Sequence, residues 1–171
     1  MGRSPLGRAR LITTIGGIAL LIVMFLPWFG VGGPGAASAV TGAPELPDAN
    51  AWEAFDFIDV VLVATGLVAI APALVFLVAG IRLPPVANAV AAGLGILATL
   101  LVLYRLISPP EWFVVAGAEV PGFELEASRK VGVFLGLIAS AAVAVGGVLA
   151  TREERIALGL GRPPFRRPSG P

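Results

Sequence analysis

The chain has 171 residues, of which 57% are hydrophobic and 13% charged, whereas soluble domains carry about 25% charged residues. It holds no cysteine and no histidine. That excludes disulfides and thiol metal sites, leaves any zinc site to carboxylates alone, and removes the usual general base near neutral pH. A formal net charge of +1 excludes a global basic field for nucleic acid. Such a composition asks for lipid as solvent, and the expected fold is all-α: a polytopic membrane protein built as a four-helix transmembrane bundle. Four spans of about 20 residues each take roughly half of such a chain, leaving no room for a second, soluble domain.

After a tail over 1–10, the first apolar run covers 11–29 and closes with Leu26-Pro27-Trp28-Phe29. Arg3, Arg8 and Arg10 with Ala37-Ser38-Ala39 also fit a cleaved signal peptide, but the run exceeds the about 7–15 residues of such a segment, so a retained span is expected. Met1-Gly2 does not make a myristoylation site, because Leu6 stands where Ser or Thr is required. The loop over 30–59 opens rich in Gly, Ala and Pro; Asn50 and Glu53 then stand at capping-box spacing, which predicts a helix start with Trp52 and Phe55 on one face.

The second span is expected over 60–81, with Pro72 predicting a kink. Leu83-Pro84-Pro85 permits only a tight connection to the third span, 86–107, so these two helices are antiparallel neighbours. In the loop over 108–130, β-prone segments at 112–115 and 120–125 flank Gly117 and Pro121-Gly122 and predict a small hairpin. The fourth span, 131–150, follows Arg129-Lys130 and gives way to a basic tail over 151–171. There Arg162, Arg166 and Arg167 can touch anionic headgroups, each contact contributing about 1 kcal/mol.

Orientation follows from arginine and lysine, which collect in cytoplasmic segments. One face gathers Arg3, Arg8, Arg10, Arg82, Arg152, Arg155, Arg162, Arg166 and Arg167; the other has only Arg105, Arg129 and Lys130. Both termini are therefore expected on the cytoplasmic side of a plasma membrane. Trp28, Trp52, Trp112 and Tyr104 fall at the outer ends of the spans, where an interfacial aromatic belt belongs.

Gly132, Gly136, Ser140 and Ala144 put a small residue at every fourth position of the fourth span, and Ala87, Ala91 and Gly95 supply a counterpart on the third. Such stripes let helix backbones approach closely. Packing inside one chain is the first reading, with Val133 and Leu137 turned to lipid, and homodimerisation or contact with another membrane protein is the alternative. Arg105 is expected to form a structural ion pair with Asp59, or failing that Asp56, because about 1.5 Å of rise per residue counted from the tight connection brings them to similar depth. A ligand or gating site on the same residues is the alternative. No charge falls near mid-membrane, which counts against ion-coupled transport, and backbone bonding within a helix accounts for Thr65, Thr99 and Ser140. Glu111, Glu119, Glu124 and Glu126 read as solvated loop carboxylates. No phosphate loop, nucleophile elbow or metal-ligand spacing is present in the sequence, so no catalytic residue, metal or cofactor is expected.

Arginine outnumbers lysine eleven to one beside heavy use of Ala, Gly, Val and Pro, a bias associated with GC-rich bacterial genomes. Leu26-Pro27-Trp28-Phe29, Ala51-Trp52-Glu53-Ala54-Phe55 with Asp59, Tyr104-Arg105 with Pro109-Pro110, and the small residues from Gly132 to Gly147 together resemble uncharacterised small four-helix (tetraspan) membrane proteins of actinobacteria. The resemblance covers most of 10–155 and implies a four-span fold in the plasma membrane, with no catalytic or binding residue. The expected role is non-enzymatic, an accessory or scaffold protein with the lipid bilayer as its surroundings. A small-molecule or lipid transporter or channel subunit is the alternative, distinguished by a polar-lined cavity between the helices. A membrane enzyme comes third.

Overall fold

The computed structural model describes residues 5–32, 49–54, 57–81, 83–84, 86–108 and 126–157. Four long helices make the body: α1 (Pro5–Val23), α3 (Ile58–Ala79), α4 (Val86–Ile107) and α5 (Val131–Ala157), with one turn, α2 (Ala51–Ala54), between the first two. They run up, down, up and down, the topology that short connections favour. In the bundle α1 packs on α3 and α5, and α4 packs on the same two from the other side. Among the described residues α3, α4 and α5 are each long and apolar enough to cross a bilayer, the mark of a multi-pass membrane protein.

The first span differs from expectation. The helix starts at Pro5 and ends at Val23, and the apolar residues expected to continue it form strand β1 (Pro27–Gly32) instead. Proline lacks the N–H that a helix interior needs, but it is tolerated as the first residue of a strand. The architecture is accordingly not purely α-helical. β1 is the middle of a three-stranded sheet in the order β2-β1-β3, with β2 (Ala49–Asn50) and β3 (Glu126–Arg129) at its sides. Both pairings are antiparallel; Phe29 lies opposite Arg129 and Gly30 opposite Ser128, while the register shifts between Pro27 and Phe29 in the pairing with β2. The sheet closes one end of the bundle, called here the sheet end, and the opposite end is the open end. The hairpin expected over 112–125 lies outside the described residues.

Two further bounds have physical causes. α5 continues past the apolar run to Ala157, because Thr151-Arg152-Glu153-Glu154-Arg155 is polar but contains no helix breaker. α3 runs through Pro72 without interruption and stops at Gly80, whose φ of 66° lets its N–H close on the Phe76 carbonyl at 3.0 Å, a left-handed cap that glycine accepts at little steric cost.

The apolar core lies toward the sheet end, where Leu20, Met24, Trp28, Phe29, Leu62, Val102 and Val133 are fully buried. Toward the open end small residues replace large ones. A Cβ on Gly95 would come within 2.6 Å of the Ala144 nitrogen, and one on Gly147 within 2.7 Å of the Ala92 nitrogen, so α4 and α5 touch backbone to backbone. α1 makes similar approaches through Gly16 to α5 and Gly17 to α3.

Candidate functional site

Of the small residues expected to form one stripe on α5, the structure divides the work. Ala144 meets Gly95, and Ser140 is buried with its hydroxyl donating to the Leu137 carbonyl at 3.0 Å. Gly132 and Gly136 instead lie against β1: an added Cβ on Gly132 would stand 2.5 Å from the Pro27 carbonyl oxygen and 2.6 Å from the Trp28 ring, and one on Gly136 2.5 Å from that ring. On α4, Ala91 is fully buried and Ala87 partly so. Thr65 and Thr99 donate to the carbonyls four residues earlier, at 2.7 Å each.

Trp28 is therefore not an interfacial belt residue. It is 0% exposed, and its indole N–H donates to the Val23 carbonyl at 2.9 Å, which also accepts the Leu26 N–H at 3.0 Å in the turn that ends α1. Trp52 and Tyr104 are exposed, and Trp52 meets the Phe25 ring at 6.0 Å between centroids. Trp112 lies outside the described residues. Val133, placed on the lipid side from sequence, is buried, whereas Ile138 is 65% exposed. Gly136→Leu is accordingly expected to lower the unfolding midpoint in detergent far more than Ile138→Leu, by about 1–3 kcal/mol for overpacking. Equal midpoints for the two variants would contradict the packing of Trp28 on Gly136.

At the sheet end Asp59 sits in the first turn of α3, 7% exposed, and Arg105 in the last turn of α4, half-buried. Asp56 lies outside the described residues. Arg129 donates from Nε to the Leu106 carbonyl at 2.7 Å, tying β3 to the C-terminus of α4, where a cation is favoured.

The open end carries the arrangement that sequence reasoning missed. Glu154 of α5, 9% exposed, receives Arg10 of α1 and Asn88 of α4 on the same oxygen. Arg10 Nη2 stands at 2.5 Å and Asn88 Nδ2 at 2.7 Å. Three helices far apart in sequence meet at one carboxylate. Glu154 Oε2 and Arg10 Nε are also buried and have no hydrogen-bond partner among the described residues. Beside this cluster a cleft of about 370 Å³ opens between α1, α3 and α4, with Arg10, Thr13, Thr14 and Asn88 at its polar side and Leu11, Pro72, Ala73 and Phe76 at its apolar side. The cleft exists because α3 leaves the bundle: its buried residues end at Ala69, and beyond Pro72 the side chains of Leu77 and Val78 are about four-fifths exposed. Asn88 is a lone amide in an apolar run, and that was the available signal; Glu154 lay inside a charged stretch that reads as tail.

Chemically the cluster is a neutral pair with an amide. No group of three or more Asp or Glu side chains that might share a metal ion occurs among the described residues. No family model, curated protein or solved structure matches the chain.

Proposed function

We propose that the chain is a tetraspan protein of the plasma membrane, with α1 as its fourth span and both termini cytoplasmic, acting as a non-enzymatic accessory or scaffold component. The observation carrying this reading is the solid outer half. Trp28, Phe29, Met24, Leu62, Val102 and Val133 fill the space between all four helices, and a sheet lies across that end. A solute pathway would have to cross that layer. Orientation rests on the nine-to-three split of basic residues, which makes the open end cytoplasmic and the sheet end external. At the external end Arg105 pairs with Asp59 or Asp56, holding α4 to α3 in a region where a lone charge is poorly solvated.

The lipid-handling alternative is favoured by one observation, the cleft at the open end, and applies to one leaflet only.

Two measurements test this reading. Reporter fusions after residue 171 and within 33–48 should report opposite compartments, the first cytoplasmic; an external signal from the first overturns the orientation. Proteoliposomes loaded with small ions and sugars should retain them as protein-free vesicles do, and protein-dependent release would favour transport over scaffolding. For the ion pair, Arg105→Ala and Asp59→Ala should each lower stability while the double variant loses less than their sum. Additive effects would instead leave Arg105 extending to headgroups.

A further inference from the structure

We infer that the cleft between α1, α3 and α4 is a binding site for one phospholipid with an anionic headgroup, drawn from the leaflet at the open end. The inference rests on the proposed membrane orientation. Three observations carry it, beginning with shape. A volume of about 370 Å³ falls in the range of about 300–1,000 Å³ typical of ligand pockets, and the wall formed by Leu11, Pro72, Ala73 and Phe76 suits an acyl chain.

The second observation is the polar side. Arg10, Thr14 and Asn88 line the cleft, and Arg10 combines a guanidinium one-third exposed with a buried Nε that has no partner among the described residues. Glu154 engages the Nη2 edge, and a guanidinium has five N–H donors in a fork suited to phosphate oxygens. The third is charge. The open-end face of the sequence carries nine arginines against Glu153 and Glu154, a field that attracts anionic lipid and repels cations. A free phosphate ion would use the polar side alone and leave the apolar wall without an occupant, so the lipid satisfies the whole cleft.

The test uses the full chain incorporated into nanodiscs of mixed phosphatidylglycerol and phosphatidylcholine, then released into mild detergent for native mass spectrometry. Expected is a monomer retaining one phosphatidylglycerol at least ten-fold above phosphatidylcholine. Ala73→Trp, which fills the cleft from an exposed position, should reduce that retention at least ten-fold. Val78→Trp, on the other side of α3 and exposed, should leave it unchanged. Arg10→Lys, which keeps the charge but loses the fork, should reduce the preference for phosphatidylglycerol. Equal retention by wild type and Ala73→Trp overturns the site. So does equal retention of the two lipids, binding of inorganic phosphate with no lipid, or a dimer that Ala73→Trp dissociates, which would make the cleft a contact between copies. A chain that enters the discs but shows no lipid preference refutes the lipid site alone; a chain that stays outside them refutes the membrane reading and the site together.

Discussion

Trp28→Ala is expected to be among the most destabilising single substitutions in the chain, costing about 3–5 kcal/mol. The indole is fully buried, lies across Gly132 and Gly136, and donates to the Val23 carbonyl. Truncation therefore empties a large volume with two glycines on its wall. Those glycines have no side chains to move into the space, so the cavity cannot collapse cheaply. The Val23 carbonyl would keep the Leu26 N–H at 3.0 Å, so the lost indole hydrogen bond adds only about 1 kcal/mol to the cavity term. Trp28→Phe keeps most of the volume and should cost roughly half as much. Unfolding of the three proteins in bicelles, followed by a probe on α5, gives the ranking. A loss below about 1 kcal/mol for alanine would show that the ring is not the wedge between β1 and α5.

Removing the carboxylate at the open end should have a comparable effect for an electrostatic reason. Glu154→Met leaves Arg10 without its counter-charge and Asn88 without its acceptor. Breaking one partner of a buried pair costs about 3–5 kcal/mol. Arg10 keeps about a third of its side chain in solvent, so screening brings the expected loss toward or below the lower figure. The informative variant is the double substitution Arg10→Met with Glu154→Met. Replacing both ions with apolar groups of similar length removes the desolvation penalty as well as the attraction, and such exchanges are often neutral. Stability should rise above that of Glu154→Met but stay about 1 kcal/mol or more below wild type, because the buried Asn88 amide still lacks its acceptor. If the double variant is as unstable as Glu154→Met alone, the pair is not what holds α1 to α5, and the loss comes from packing and from Asn88.

Hydropathy made α4 legible to the residue, 86–107 in both readings, and α3 within two residues, because in these segments the apolar run and the helix coincide. They do not coincide at the ends of α1 and α5. Residues 24–29 are apolar whether they continue a helix or form a strand, and Pro27 was the one local sign of the strand. Arg8 and Arg10 lie inside α1, and Glu154 inside α5, since a charged segment can extend a helix beyond its apolar stretch. The sheet rests on pairing between residues about one hundred positions apart, which no local pattern reports. The small residues were visible as packing surfaces, but a glycine does not announce whether it receives a backbone or an indole; α5 uses both. The open-end cluster was hidden for a related reason: its members are 144 and 66 positions apart, and each alone resembles an ordinary polar residue.

The register of β1 has a consequence for how the protein is made. β1 leaves the ribosome early, yet the strand that pairs along most of its length, β3, and the glycines that seat Trp28, on α5, come about one hundred residues later. At synthesis rates of about 5–20 residues per second, this segment must wait for several seconds with a proline-led strand and a tryptophan uncovered. Nascent chains stopped before residue 126 should remain cleavable by protease within β1, and protection should arrive in one step once α5 has been made.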